Sequence, residues 1–188
     1  MEQLVLLDTT VAAGILSNLT SKDQASKRDR WKTCILDLIK TESNPRVTIP
    51  TPIFFELASW EERWHQAITE LLRQPTHSRF FEYINYSIKP QILLTAARYK
   101  FLCRQKKHSN GEKQYEENKR GWVDSLVASY CLTYGYHLIT INQKDFPEKY
   151  FEVKNHCLAP LITEKDQRKV VFLLAPRQEK WLMEIAKS

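Results

Sequence analysis

The sequence predicts an α/β protein with a central, mostly parallel sheet covered by helices on both faces. Short apolar runs of strand length alternate with helical patterns along most of the chain, which is typical of that class. The runs are nearly continuous in apolar residues, as strands buried on both faces are. With 188 residues and a hydrophobic fraction of 43%, the chain has enough material for one ordinary core.

The first half begins with an apolar run, QLVLL, which stops at Asp8 as a buried strand would. In the long helix that follows the second strand, apolar residues recur on one face. The predicted elements of this half are a strand at 3–7, a helix from Thr9, an amphipathic helix around 30–40, a strand at 46–51, and a helix from 53 to about 73.

The second half continues the alternation and is less regular near its end. Gly135 is expected to stop the helix that contains Val123 and Tyr130. The predicted elements are an aromatic strand at 79–88, a helix from 90 to about 106, a polar loop around Asn110-Gly111, a helix from about 123 to 134, the strand HLITIN, a short edge strand near 150–157, a strand RKVVFLLAP and a terminal helix.

Acidic and amide side chains stand where these elements meet. Asp8 ends the first strand, Glu56 lies early in the helix after the second, Asp124 lies near the start of a helix, and Asn142 and Asp145 follow HLITIN. In an open α/β sheet, ligands bind at the carboxyl ends of the strands. Taken singly, each residue also fits an ordinary role as a helix cap or a turn former.

In these contexts the sequence resembles the PIN-domain nucleases, and among them the VapC-type toxins. The matching segments are LVLLDTTV, TPIFFELAS, GWVDSLVASYCLTYG and LITINQKDF, which cover roughly residues 3–152 in the order of the family. Two features depart from it: Asn142 stands where many members have aspartate, and the residues after about 160 lie outside the resemblance. The resemblance implies a three-layer, PIN-like α/β/α domain at 1–158 with an extension at 159–188 packed on it.

The resemblance also implies a metal-dependent endoribonuclease, and a type II toxin with a small antitoxin as partner. Asp8, Glu56, Asp124 and Asp145 are the implied catalytic metal ligands, for Mg²⁺ or Mn²⁺. Carboxylate oxygens without Cys or His suit such hard cations, which polarise a phosphate and lower the pKa of a bound water. The implied substrate-binding residues are Lys119, Arg120, Thr140 and Asn142. Thr9 and Thr140 are also candidates for orienting carboxylates or water, and Asn142 for holding a water beside the metal.

Charge supports a polyanionic partner. The formal net charge is +6, and eight basic residues face three acidic ones between Arg98 and Arg120, so most of the excess lies in one stretch. A solvated surface is the alternative interpretation of that stretch. Aromatic residues alternate with the basic ones, as on a surface where bases stack, although helical spacing favours a core position for Phe101. These aromatic residues are Tyr99, Phe101, Tyr115 and Trp122.

Other features argue for a cytoplasmic protein. No apolar run reaches membrane-spanning length, and the N-terminus lacks the basic region of a signal peptide. The cysteines are widely spaced, which predicts reduced structural thiols and no zinc site; they are Cys34, Cys103, Cys131 and Cys157. A homodimer is a further hypothesis.

Two other functions stay open. A non-catalytic RNA-binding module with the same fold would fit Asn142 and the basic stretch. A phosphatase of haloacid-dehalogenase type would also place an aspartate after its first strand, but that family needs a second acid where this chain has Thr10.

Overall fold

The computed structural model describes residues 2–16, 25–60, 82–84, 88–107, 113–115, 121–160 and 168–187. Its elements follow the predicted alternation of strand and helix. They are β1 (Gln3–Leu7), α1 (Thr9–Leu16), α2 (Ala25–Ile39), β2 (Pro45–Pro50), α3 (Thr51–Trp60), β3 (Glu82–Ile84), α4 (Pro90–Arg104), β4 (Gln105–Lys107), β5 (Lys113–Tyr115), α5 (Trp122–Tyr134), β6 (His137–Thr140), a 3₁₀ turn (Gln143–Asp145), β7 (Phe151–Pro160), β8 (Arg168–Pro176) and α6 (Gln178–Ala186).

Six strands form one sheet in the order β3-β2-β1-β6-β8-β7. The first four are parallel to one another, and β8 and β7 continue the sheet in antiparallel pairing. The predicted α/β class with a mostly parallel sheet is therefore confirmed.

The centre of the sheet is β1, which pairs with β2 on one side and β6 on the other. Val5, Leu6 and Leu7 are fully buried, as expected for a strand covered on both faces. The chain leaves β1 and β6 at the same edge because the two strands are parallel. Residues that follow these strands are thereby brought together.

The connections place helices on both faces of the sheet. The chain moves from β1 to β2 through α1 and α2, and it returns from β3 to β6 through α4 and α5. Right-handed crossovers in opposite directions put their helices on opposite faces. The predicted three-layer arrangement follows from this topology.

Helix α5 ends where the sequence predicts. Gly135 has φ of 76°, in the left-handed region that favours glycine, and its N–H donates to the carbonyl of Cys131 at 2.8 Å. A Cβ at this position would lie 3.0 Å from Oε1 of Gln178, the first residue of α6. The turn therefore needs glycine both for its backbone angle and for the approach of α6.

The C-terminal segment belongs to the main sheet. Strand β8 lies between β6 and β7, and the predicted boundary at 158/159 falls inside β7. Trp181 of α6 is 2% exposed, and its ring packs against Tyr99 and Tyr150 with centroids 6.3 and 5.4 Å away. These contacts join the last helix to the core.

One local prediction is wrong, and another falls outside the described residues. The predicted short edge strand is a ten-residue strand, β7, because β8 offers it a long partner. The predicted polar loop around Asn110-Gly111 lies outside the described residues. The strands on either side of it, β4 and β5, pair antiparallel from Gln105–Tyr115 to Lys107–Lys113. The sequence Asn110-Gly111 between these strands is typical of a hairpin connection.

Among the described residues, none of the helices has both the length and the apolar character that a membrane-spanning helix needs.

The prediction of reduced thiols is wrong for two cysteines. Cys34 on α2 and Cys157 on β7 form a disulfide, with their Cα atoms 6.0 Å apart across a sequence separation of 123 residues. Helix α2 packs on this edge of the sheet, where the Asn155 amide also donates to the carbonyl of Leu38 at 3.3 Å. Cys103 and Cys131 are thiols, and Cys131 is buried. Disulfides are typical of oxidising compartments, so the cytoplasmic location stays a prediction.

The disulfide should contribute measurably to stability. A cross-link that closes so long a loop lowers the entropy of the unfolded chain, which raises its free energy by about 5 kcal/mol in the chain-entropy model. Reductant should therefore lower the unfolding temperature of the wild-type protein. The double variant Cys34→Ser, Cys157→Ser should unfold at the lower temperature with or without reductant. Cys103→Ser, which leaves the disulfide intact, should show the same fall in unfolding temperature with reductant as the wild type. Four titratable thiols in the non-reduced wild-type protein would contradict the pairing of Cys34 with Cys157.

Candidate active site

The carboxylate of Asp8 is buried at the carboxyl end of the central strand. The Asp8 N–H donates to the carbonyl of Ile139 on β6 at 2.9 Å, and its carbonyl accepts from the N–H of Ala12 at 2.8 Å, which begins α1. Its side chain is 5% exposed. The Thr9 N–H donates to Oδ1 at 2.7 Å, and the Thr140 hydroxyl donates to Oδ2 at 2.7 Å. The carboxylate of Asp8 is thus held by Thr9 at the start of α1 and by Thr140 at the end of β6.

Threonine 9 connects Asp8 to Glu56. The Thr9 hydroxyl donates to Oε2 of Glu56 on α3, while the Thr9 backbone holds Asp8. Thr9 is 5% exposed and Glu56 is half-buried, so this contact is partly buried. The predicted role of Thr9 in orienting a carboxylate is consistent with these hydrogen bonds.

The residues after β6 form a second hydrogen-bonded group. The Thr140 hydroxyl accepts from the Asn142 N–H at 2.9 Å, and the Asn142 amide donates to Oδ2 of Asp145 across the 3₁₀ turn. Thr140 therefore links the carboxylate of Asp8 to this turn. The predicted role of Thr140 in orienting a carboxylate is consistent with its hydrogen bond to Asp8, and Asn142 contacts Asp145. Substrate binding by Thr140 and Asn142 stays a prediction.

The carbonyl of Asp145 accepts a hydrogen bond from the Tyr99 hydroxyl at 2.6 Å. Tyr99 is fully buried, so α4 fixes the turn that carries Asp145. Sequence reasoning missed this role. The signal that could have found it is the helical spacing of Tyr99 with Ile92 and Ala96, which are both buried on the same face of α4.

Asp124 lies in the first turn of α5. Its Oδ2 accepts from the N–H of Gly121 at 3.1 Å, the hydrogen bond of a residue that closes the start of a helix. Asp124 therefore has a structural role as well as a place near the other acids. Its second carboxylate oxygen, Oδ1, is the one that this contact does not use.

Burial, followed by the charges of neighbouring acids, raises the pKa of Asp8 and of Asp124. Burial raises the pKa of Asp8 to about 6 and that of Asp124 to about 7, from an ordinary value of 3.8. The hydrogen bonds from Thr140 and Thr9 lower the pKa of Asp8, and the charges of Glu56 and Asp145 raise it. For Asp124, the next causes after burial are the charges of Asp8 and Asp145. The structure thus brings all four predicted acids within electrostatic range.

The donor set fits a hard divalent cation. Carboxylate oxygens are the ligands that Mg²⁺ and Mn²⁺ favour, and repulsion among four acids is relieved when a cation binds between them. In the described part of the chain, no three His, Cys, Asp or Glu side chains are already grouped as a metal site. The four acids thus match a hard divalent cation in the chemistry of their oxygen atoms. The ligand roles of Asp8, Glu56, Asp124 and Asp145 stay predictions.

The predicted base-stacking aromatics have different positions. Tyr99 is fully buried, so a stacking role for it is wrong. Phe101 is 48% exposed, so its predicted core position is wrong as well. Trp122 is 55% exposed. Lys119, Arg120 and the side chain of Tyr115 lie outside the described residues.

Fold and site define a mostly parallel α/β protein with an acidic group at the carboxyl edge of its central strands. No protein-family model matches the chain, and no curated protein matches it significantly. Among solved structures, it resembles a crystal structure of VapBC2 from Rickettsia felis bound to a DNA fragment from their promoter. That likeness covers 76% of this chain and 90% of the other, at 17% identity and a TM-score of 0.48. Likeness of that degree identifies no family, so the function is argued from the site.

Ionisation of the acidic group should destabilise the protein when no cation is bound. Because folding raises the pKa of Asp124 from 3.8 to about 7, the folded state binds its proton more tightly, and the associated stability is lost as pH rises through 7. Asp124→Asn keeps an oxygen for the Gly121 N–H and removes the charge. With chelator present, this variant should unfold a few degrees above the wild type at pH 8.

The gain should vanish near pH 4, where wild-type Asp124 is protonated in the folded protein. Asp37→Asn is the matched control, because Asp37 lies on α2 with its side chain 62% exposed. Thermal unfolding of the three proteins at both pH values measures the difference. An equal change for Asp124→Asn at pH 4 and pH 8 would contradict the raised pKa of Asp124.

Proposed function

We propose that this protein is an endoribonuclease that requires Mg²⁺ or Mn²⁺ and hydrolyses phosphodiester bonds. The observation that supports this most strongly is the group of four acids at the carboxyl edge of the sheet, two of them with pKa values raised by burial and by their neighbours. Perturbed acids of this kind are typical of functional sites. The choice of RNA as substrate comes from the sequence resemblance to PIN-domain nucleases.

Asp8, Glu56, Asp124 and Asp145 would hold the cation, each through carboxylate oxygens. When bound, the cation supplies a Lewis acid that polarises a phosphate oxygen and makes a coordinated water more acidic. Each oxygen of Asp8 accepts one hydrogen bond from the protein, and a carboxylate oxygen has two lone pairs. Asp8 therefore keeps ligand capacity while its orientation is fixed.

The chain's hydroxyl groups hold these acids in place. Thr140 fixes Asp8 from β6, and Thr9 fixes Glu56 from the start of α1. Outer hydrogen bonds of this kind orient metal ligands, and their loss typically costs about 10–100-fold in affinity or activity. The threonines thus act as positioning residues, and Asn142 has the same role toward Asp145.

Net positive charge favours the approach of a nucleic acid to this site. The chain carries +6, and the excess lies mostly between Arg98 and Arg120, directly before α5. Lys119 and Arg120 precede Asp124 by a few residues, and we propose that they hold the substrate's phosphates. Resemblance to VapC-type toxins extends the proposal to a toxin role, in which expression slows growth until a small antitoxin blocks the nuclease.

A second candidate is an RNA-binding module without catalysis. It is favoured by Asn142, which stands where many PIN-domain nucleases have aspartate, and by the basic stretch between Arg98 and Arg120. The contact of Asn142 with Asp145 favours it too, because it occupies one oxygen of the fourth acid. Such a module would bind RNA with a strong dependence on salt and would leave the strand intact.

Cleavage of single-stranded RNA separates the two candidates. With Mg²⁺ or Mn²⁺ the wild-type protein should cleave, and chelator should stop it. Asp8→Asn and Asp124→Asn should each lower the rate by roughly a hundredfold or more, because even outer partners of metal ligands contribute about 10–100-fold. Thr140→Val, which removes the hydroxyl that holds Asp8 and keeps the shape, should fall within that 10–100-fold range.

Asp37→Asn, purified in parallel, controls for contaminating nucleases and for a general effect of charge. It should cleave at the wild-type rate. Equal cleavage by the wild type and Asp124→Asn, or cleavage that persists in chelator, would rule out this mechanism. Salt-dependent binding without cleavage in the same preparations would support the binding module.

A further inference from the structure

We propose that Trp122 is a stacking platform for one base of a single-stranded substrate, at a nucleotide that flanks the bond to be cut. This inference rests on the proposed function, since it assigns a subsite to the same edge of the molecule. It names single-stranded nucleic acid as the substrate class. It also assigns Lys100 as the cation beside that platform.

Trp122 is exposed to solvent, whereas Trp31 and Trp181 are buried. Its exposed fraction is 55%, against 1% for Trp31 and 2% for Trp181. Indole is the largest apolar side chain, and its exposure leaves a flat π surface in contact with water. Exposure alone is common for single apolar residues, so the surroundings of the ring decide its role.

A lysine lies over the ring. The Nζ of Lys100, on α4, is 4.9 Å from the ring centroid of Trp122. The contact joins α4 to the start of α5 and places a positive charge beside the aromatic surface. Trp122 stays more than half exposed with Lys100 on one face, so room remains for a planar ligand. An aromatic ring beside a cation is the combination that binds single strands, the ring for a base and the cation for a phosphate.

The position along α5 determines which base is bound. Trp122 and Asp124 are two residues apart in the first turn, about 3 Å along the helix axis. A helix turns about 100° per residue, so the side chains of Trp122 and Asp124 leave α5 about 200° apart, on nearly opposite sides. The base on Trp122 therefore belongs to a different nucleotide from the one whose phosphate lies at the acids. Duplex RNA keeps its bases stacked inside and cannot present one to the ring.

The test uses the Asp8→Asn protein, in which cleavage is removed and binding is measured by itself. A fluorescent single-stranded oligoribonucleotide is titrated and followed by anisotropy. Trp122→Leu should weaken binding by roughly 5- to 100-fold, the range for loss of one stacked base. Trp122→Phe, which keeps an aromatic ring, should lose much less. Tyr134→Leu removes an exposed aromatic residue from the other end of α5 and should bind as the parent does.

Abasic substitution along the oligonucleotide adds a readout that a purely structural role would not change. In the parent protein, one flanking position should be sensitive to loss of its base, and in Trp122→Leu that position should lose its sensitivity. Binding should also quench tryptophan fluorescence in the parent and not in Trp122→Phe. Because Trp122 is intact in the parent, the quenching and the abasic scan hold even when Trp122→Leu folds poorly.

The proposal would be overturned if Trp122→Phe and Trp122→Leu kept the affinity and the abasic profile of the parent and only unfolded at a lower temperature. Trp122 would then have only a structural role, in the packing of α4 against α5. Equal quenching by duplex and single-stranded RNA would overturn it too. The outcome is separable from the nuclease proposal. Stacking without cleavage by the wild type would refute catalysis alone, and cleavage with no effect at Trp122 would refute stacking alone.

Discussion

The carboxylate of Asp8 is buried at the end of the central strand, where two hydrogen bonds and several like charges act on it together. The Thr9 N–H and the Thr140 hydroxyl favour its ionised form, and burial and the neighbouring acids oppose it. Burial is the largest of these effects, so the pKa rises to about 6. Because β1 and β6 are adjacent and parallel, Thr140 at the end of β6 reaches Asp8 at the end of β1.

This balance separates the stability of the fold from the chemistry of the site. The sheet is stabilised by apolar burial in β1, β2 and β6, whereas the acids at its edge contribute repulsion. Proteins retain such local conflict mainly where function requires it. The threonines limit the conflict, since they fix two carboxylates without adding a compensating positive charge that would compete with a cation.

The sequence was a good guide to the parallel half of the fold. Buried strands have continuous apolar runs that stop at polar residues, so both the strands and the residues after them were visible, and Asp8, Asn142 and Asp145 were located in this way. The left-handed turn at Gly135 was equally visible from its glycine. Proximity among the acids followed from the parallel topology, which places these strand ends at one edge.

The remaining features depend on contacts between distant segments. The insertion of β8 between β6 and β7 has no local signature, and neither has a disulfide between residues separated by 123 positions. The burial of Tyr99 and the exposure of Phe101 depend on which face of α4 meets the core. The hydrogen bonds of Thr9 and Thr140 needed coordinates, because they join side chains from different segments. The paired strands β4 and β5 consist mostly of polar and charged residues, so they lack the apolar pattern by which a strand is recognised in a sequence.

Crystals soaked in Mn²⁺ near pH 8 provide the most direct measurement, since anomalous scattering locates the ion independently of the protein atoms. The convergence of the acids predicts a peak within about 2.0–2.5 Å of carboxylate oxygens from both Asp8 and Asp124. The peak should be lost in Asp124→Asn and kept in Asp37→Asn. A map without a peak at this edge, with the carboxylates of Asp8 and Asp124 directed away from each other, would contradict a shared cation site.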